Sequence, residues 1–395
     1  MTRLSFVAFP FKSEDPAVAV ANLEVAARHP RVRRVLAVGS GADATYRSLA
    51  EFAPALERRT GTPVEVIVQE RIGDRRPGKG DGMNTALRRF RDSDHQRIHF
   101  YDADITNFDA TWIDGAEAAA DRHFPVVRHY FPRASTDAMI TWLVTRPIFA
   151  LAHPDSILWE IRQPLGGELL LTRDIAVALA DDPRVVERSD WGIDTVLTYA
   201  TVALGEPVYE HYVAEGKQHA LYRSLGDIRQ MLVECFEAAA AVAALPSPGR
   251  PRHEVAPPAT AGPAIAHKVG FDIESTIHLL IAPWPPEAVS AAAELPADLS
   301  RPLLANLVRP TFSFMDGARW RRTLQVLLAR YESTPGWEEV LFRLWVARVL
   351  AYATGEALYG HAAAMAVLEE QVRRCARPRT DRSGNGQQGD GQHSQ

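Results

Sequence analysis

Between Leu4 and Tyr101 the chain alternates short strand-like runs with amphipathic stretches, and this alternation restricts the fold more than any other feature. Residues 4–9 read as a strand. Asp15-Pro16 opens a helix, with Asp as N-cap and Pro at the first position. That helix carries Val18, Val20, Leu23 and Val25 and stops near His29-Pro30. Residues 32–38 read as a second strand, 43–59 as a second helix and 64–68 as a third strand. A polar, Gly-rich loop covers 70–80. Asp81 is then the expected cap of a helix to about Arg91, and 98–101 is a fourth strand. Such βαβ units demand a mostly parallel sheet with helices on both faces.

From Pro125 the pattern turns mixed. Short strands are expected at 126–131, 168–171 and 208–213, with helices over 137–152, 194–204 and 227–244. Prolines 246, 248, 251, 257, 258 and 263 then make core helix impossible and mark a linker. After it, Trp320, Leu324, Leu327, Leu328, Phe342, Trp345 and Val349 recur at helical spacing, as core residues do. The expected organisation is a catalytic unit over 1–245, a linker over 246–263, a helical unit over 264–377 and a disordered tail over 378–395. A chain of 395 residues is long enough for two such units. No internal repeat is visible.

A formal net charge of −5 with 24% charged residues gives no electrostatic argument for nucleic acid or a membrane surface. The two cysteines, Cys235 and Cys375, provide neither a disulfide framework nor zinc spacing. The first ten residues hold too short an apolar run for a signal peptide. No stretch reaches the roughly 18 apolar residues of a membrane span. A cytoplasmic protein is expected.

The fourth strand ends in Tyr101-Asp102-Ala103-Asp104, two carboxylates one residue apart. Open α/β sheets bind ligands at that edge. Hard oxygen donors there suit Mg²⁺ or Mn²⁺ shared with substrate phosphates, although turn-forming Asp residues would look the same. Two other signatures fall short. Gly39-Ser40-Gly41-Ala42-Asp43-Ala44 matches a dinucleotide fingerprint but follows the second strand, and reads better as a plain strand-to-helix turn. Gly73 to Lys79 fits G-x-x-x-x-G-K, but Gly80 replaces the metal-binding Ser/Thr and Pro77 interrupts the loop. This leaves a flexible loop offering Lys79 and backbone N–H groups to a phosphate, or a solvated basic loop.

Other residues converge if the ligand is a nucleotide-sugar. Pro10-Phe11-Lys12 ends the first strand, where a base or ribose would lie. Arg133-Ala134-Ser135-Thr136 opens a helix and suits a small carboxylate. Gly166-Gly167-Glu168 marks a close backbone approach or a turn. Trp191 stands among acids in Ser189-Asp190-Trp191-Gly192-Ile193-Asp194, a setting that suits a sugar, although Ser189 or Asp190 also reads as an N-cap. His219 becomes a ligand candidate because a metal is already suspected.

The run from Arg76 through Lys79-Gly80-Asp81-Gly82-Met83-Asn84 to Leu87, together with Tyr101-Asp102-Ala103-Asp104, resembles the bacterial mannosylglycerate synthase family. So do Arg128 to Arg133 continuing to Thr141, Gln163-Pro164-Leu165-Gly166-Gly167-Glu168, and 189–194. The resemblance spans most of 4–236. It is looser over the C-terminal helices, where Phe312-Ser313-Phe314-Met315-Asp316 and Trp337-Glu338-Glu339 carry it. It implies an α/β fold of GT-A type, a mixed nucleotide-sugar-binding sheet flanked by helices, with a mainly α-helical C-terminal domain. The implied reaction moves mannose from GDP-mannose to D-glycerate with retention, giving the compatible solute α-mannosylglycerate. The implied cofactor is a divalent metal, Mg²⁺ or Mn²⁺, with Ca²⁺ also admissible.

Carried over by position, Pro10, Phe11, Lys12, Glu14, Gln69, Lys79, Asp102, Ala103, Asp104, Leu165 and Tyr222 serve the donor. Arg133, Ser135, Thr136, Thr141 and Met231 serve the acceptor. Asp104 and His219 ligate the metal with Asp102 beside it, and Asp194, Lys79 and Trp191 are the catalytic set. Asp194 stays open as base, nucleophile or orienting group, with the departing phosphate oxygen as the other base. A sugar-phosphate nucleotidyltransferase and a non-catalytic nucleotide-sugar binder are the competing readings. A homo-oligomer through the helical domain is an open expectation.

Overall fold

The structure, a computed structural model, describes residues 5–219, 224–258 and 269–377. Eight strands form one sheet: β1 (Ser5–Phe11), β2 (Val32–Gly39), β3 (Val64–Val68), β4 (Arg97–Phe100), β5 (Val126–Tyr130), β6 (Leu169–Thr172), β7 (Val208–Tyr212) and β8 (His253–Val255). Their order is β3-β2-β1-β4-β6-β5-β7-β8. β6 pairs antiparallel with β4 on one side and β5 on the other, and the remaining pairings are parallel. The expected mixed α/β sheet is therefore present. The ends of β1, β3, β4, β5 and β7, and the start of β6, all reach the same edge.

Strand alternation sorts the side chains onto two faces. Phe6, Ala8, Leu36 and Val38 pack on one side with Met83, Leu87 and Phe90 of the helix Lys79–Arg91. Val7, Phe9, Val35 and Ala37 pack on the other with Leu23, Leu49 and Leu56 from the helices Pro16–Arg28 and Ala44–Thr60. Asp15 caps the first of these as expected, and Asp43, expected as the first residue of the second, caps it instead; each accepts a first-turn N–H.

The C-terminal helices, Ile273–Ile281, Pro286–Ala293, Ala297–Leu304, Gly317–Arg330, Pro335–Thr354 and His361–Ala376, surround Trp320, Trp345 and Leu344. This core is shared. Met139, Trp142, Leu143 and Phe236, all from before the proline-rich stretch, belong to it. Each fully buried large side chain contributes roughly 1.5–3 kcal/mol, so the two parts of the chain stabilise each other. Among the described residues no helix is long and apolar enough to cross a membrane, and Cys235 and Cys375 are buried and unbridged.

Four local expectations change. The helix before Arg91 begins at Lys79, not at Asp81. The Asp81 carboxylate turns back and accepts the N–H groups of Ile72 and Gly73, each at 3.0 Å. The stretch 246–263 is more than a linker, since β8 pairs with β7 within it; an edge strand tolerates prolines at its ends. The helix expected over 137–152 starts two residues late, at 139, and passes at once into a π-turn (Thr141–Thr145) running into Arg146–Ala152. Helices Ala110–Asp121 and Arg173–Asp181 lie where none was expected. The tail expected over 378–395 falls outside the described residues.

Candidate active site

A cavity of about 500 Å³ opens at this sheet edge. Pro10, Phe11, Lys12 and Glu14 reach it from the end of β1, and Gln69 from the end of β3. The turn after β1 is held in place by Asp43, whose Oδ2 accepts the Ser13 N–H at 2.9 Å and hydroxyl at 3.0 Å. Glu14, accepting the Lys12 N–H, is pushed up to about 7, mainly by burial.

Along the floor runs an alternating chain of charges. Asp194 Oδ2 receives a hydrogen bond from Lys79 Nζ at 3.0 Å, and Lys79 Nζ stands 3.0 Å from Asp102 Oδ1. Lys217 Nζ donates to Asp102 Oδ2 at 2.6 Å and also to Glu168 Oε1. Burial opposes every charge here, but Lys217 and Lys79 outweigh it at Asp102 and hold that carboxyl well below the usual range. At Lys79, the carboxylates Asp102 and Asp194 outweigh burial and hold the ammonium well above its ordinary value. Asp194 and Glu168 lie deeper relative to their cations, and burial pushes both upward. The Gly167 backbone closes over this chain. A Cβ there would stand 2.5 Å from Lys79 Nζ and 2.8 Å from Asp102 Oδ1.

Lys79 is not on a free phosphate loop. Its helix begins against 188–190, where a Cβ on Gly80 would meet the Arg188 carbonyl oxygen at 2.1 Å. Gly73, the first glycine of the G-x-x-x-x-G-K match, also serves close packing, since a Cβ there would meet the Glu187 carbonyl oxygen at 2.5 Å, and the loop's amides at 72 and 73 are spent on Asp81. Glu234 of the helix Arg229–Ala243 ties this region together, accepting from Arg76 Nη2 and from the Trp191 N–H, each at 3.0 Å. Trp191 lines the cavity with Lys79 Nζ 5.8 Å from its ring centroid.

Asp104 and His219 face each other, with Asp104 Oδ2 3.9 Å from His219 Nδ1. Asp104 Oδ1 is buried without a hydrogen-bond partner. The loop before His219 is anchored on the loop after Asp104: Asn107 Nδ2 donates to the Gly216 carbonyl at 2.9 Å, and the Thr106 N–H to that of Gln218 at 2.8 Å. No group of three or more His, Cys, Asp or Glu able to hold a metal occurs among the described residues. The Asp104–His219 pair fits an ion that completes its shell from substrate oxygens. Asp102, expected beside that ion, is engaged by two lysines.

A further part of the lining is an irregular stretch after β5. Arg133 lies 4.6 Å over the Phe131 ring, and its Nη1 donates to Asp137 Oδ2 at 2.8 Å. Ala138 follows with φ of 54°, a left-handed conformation uncommon outside glycine. Thr136, Thr141, Leu165 and Met231 also line the cavity. Ser135 does not line it; buried, it turns its carbonyl to the hydroxyl of Tyr352, 3.0 Å away. Tyr222 lies outside the described residues. Lys217, Glu168 and Asp137 were not among the sequence candidates. A lysine two residues before a suspected metal ligand was the signal available for the first.

Residues 5–241 match the family described as mannosylglycerate synthase, GT domain, and 265–372 match the mannosylglycerate synthase C-terminal domain. The chain is 50% identical to the mannosylglycerate synthase of Rhodothermus marinus over 364 residues, 91% of each chain. It is 46% identical to that of Selaginella moellendorffii over 376 residues, 93% of this chain and 89% of the relative. Glucosyl-3-phosphoglycerate synthase from Mycobacterium tuberculosis, in complex with phosphoglyceric acid, aligns with a TM-score of 0.48 at 19% identity, covering 62% of this chain and 81% of that one.

Proposed function

The chain belongs to the mannosylglycerate synthase family and is a glycosyltransferase that makes mannosylglycerate, and from that premise we propose that it moves mannose from GDP-mannose to D-glycerate with retention, in the cavity at the sheet edge. The observation that carries this reading is what one cavity brings together: the lysine chain, the Asp104–His219 pair and the Arg133 loop all line it.

The donor's diphosphate belongs beside Lys79. An ammonium has three donors. Asp102 and Asp194 take two, so the third is left for a phosphate oxygen, where negative charge grows as the glycosidic bond breaks. Asp104 and His219 would hold a divalent ion, which when bound offsets the same charge. Pro10, Phe11, Lys12, Glu14 and Gln69 form the nucleotide end. Asp194 Oδ1 is buried without a partner and is free to accept a sugar hydroxyl beside Trp191. Its other oxygen is held by Lys79, which favours an orienting role over nucleophilic attack. The acceptor carboxylate takes the Arg133 guanidinium in place of Asp137, with Thr136 and Thr141 nearby. Retention follows if the acceptor hydroxyl attacks from the face the diphosphate leaves, its proton passing to the departing phosphate oxygen.

A screen of nucleotide-sugar donors against small 2-hydroxy acids, with and without Mg²⁺ or Mn²⁺, tests the reading. The expected result is metal-dependent turnover highest with GDP-mannose and D-glycerate, and an α-linked product by NMR. A β-product, or pyrophosphate release from a nucleoside triphosphate, would overturn it.

A further inference from the structure

The stretch proposed to take the acceptor has a structural problem that the C-terminal helices solve. Residues 132–138 form neither helix nor strand, and the helical backbone that begins at 139 passes at once into a π-turn over 141–145. Pro147 has no N–H, so the Leu143 carbonyl lacks its α-helical partner four residues on. Buried carbonyls need donors. Three carbonyls spaced four residues apart, at 135, 139 and 143, each receive one from a side chain of the helical part. Tyr352 Oη donates to Ser135 at 3.0 Å, Trp345 Nε1 to Met139 at 3.5 Å and Trp320 Nε1 to Leu143 at 2.6 Å. Trp345 and Tyr352 lie seven residues, two turns, apart on the helix Pro335–Thr354 and so share one face. A fourth tie runs from the Gly270 N–H to Thr136 Oγ1 at 3.1 Å. None of the three aromatic donors lines the cavity.

We propose that Tyr352 is a positioning residue for the acceptor: its hydroxyl on the Ser135 carbonyl fixes the Arg133–Asp137 loop, so the helical part of the chain sets acceptor binding from outside the cavity. The claim rests on assigning the acceptor to Arg133, Thr136 and Thr141. Ser135 lies between Arg133 and Asp137, so its carbonyl is the lever on both. Among the described residues, only the Ala364 carbonyl, at 3.3 Å, competes for the same hydroxyl proton.

The test is Tyr352→Phe in the full chain, with Tyr331→Phe as control. Tyr331 loses a half-buried bond, to Glu237 at 3.1 Å, and makes no hydrogen bond to 132–145 among the described residues. Two readouts are taken: KM for each substrate, and hydrogen exchange of peptides covering 132–145. The expected result is a roughly tenfold rise in glycerate KM for Tyr352→Phe, the scale of one lost buried bond, with GDP-mannose KM unchanged and faster exchange in 132–145. Tyr331→Phe should move neither. Equal effects of both variants, or faster exchange with glycerate KM unchanged, overturn the proposal. If Tyr352→Phe does not fold, Trp345→Phe carries the same two readouts. Wild-type protein that never turns over glycerate would sink the acceptor assignment instead; exchange at 132–145 then decides whether Tyr352 holds the loop.

Discussion

Two parts of the cavity lining are built by opposite means. The part proposed to take the donor, here the donor end, consists of side chains in fixed ion pairs carried by helix starts and strand ends, with Asp102 held between Lys79 and Lys217; the part proposed to take the acceptor is the acceptor end. The acceptor end consists of irregular backbone, a left-handed Ala138 and a π-turn, supported by side chains from elsewhere. A charged, invariant diphosphate calls for preorganised charge. A small acid calls for shape, and π-turns and strained residues recur where shape is functional. Damage at the donor end should therefore fall on rate, and damage at the acceptor end on acceptor KM.

The largest effect is expected from Asp104→Ala or His219→Ala, each lowering kcat/KM by about 10² or more because charge stabilisation is lost. Excess chelator should do the same to the native chain. Undiminished turnover after the ion is shown to be gone would break the donor half of the comparison. Next comes Arg133→Ala, with a roughly 10- to 100-fold rise in glycerate KM from a lost charged hydrogen bond. Calorimetry should show GDP-mannose affinity unchanged, and a weakened donor would mean the two ends are not separate. Gly167→Ala should lower kcat by roughly tenfold, since the added methyl displaces Lys79 or Asp102. Glycerate KM should hold, and a change confined to KM would count against the division.

The smallest effect lies away from both ends. His95, at the start of β4, is brought down to about 4 by burial and then by Arg33. Between pH 6.5 and 4 the unfolded chain binds a proton there that the folded chain does not. Stability falls as pH drops through that window, on the order of 2 kcal/mol, and this loss ends below pH 4. Melting curves at pH 7 and 5 should separate less for His95→Gln. The ratio of donor to acceptor KM should ignore that substitution.

That two strand ends share the cavity's edge is legible in the sequence, because strand ends announce themselves. Pro10-Phe11-Lys12 and Asp102-Ala103-Asp104 each terminate an apolar run, and parallel pairing carries both to one edge. Lys217 and Glu168 were not legible as partners of Asp102. Their meeting depends on β6 running backwards between β4 and β5, a long-range pairing that four apolar residues cannot announce. The helix start at Lys79 was missed because Asp81 looks like a cap, and its carboxylate was claimed by more distant amides. The helix expected over 137–152 starts only two residues late, at 139, and its π-turn is not legible in the sequence. That turn goes with Pro147, which offers the Leu143 carbonyl no N–H, and with donors some 200 residues away.

The charge chain from Asp194 to Glu168 also limits how this enzyme can change over generations. It holds three carboxylates and two ammoniums within one buried run. Removing one partner of a buried pair costs roughly 3–5 kcal/mol, whereas replacing both together is often neutral. A lineage can therefore lose Lys217 at little cost only alongside Glu168, since Asp102 keeps Lys79 whereas Glu168 would be left without its ion-pair partner.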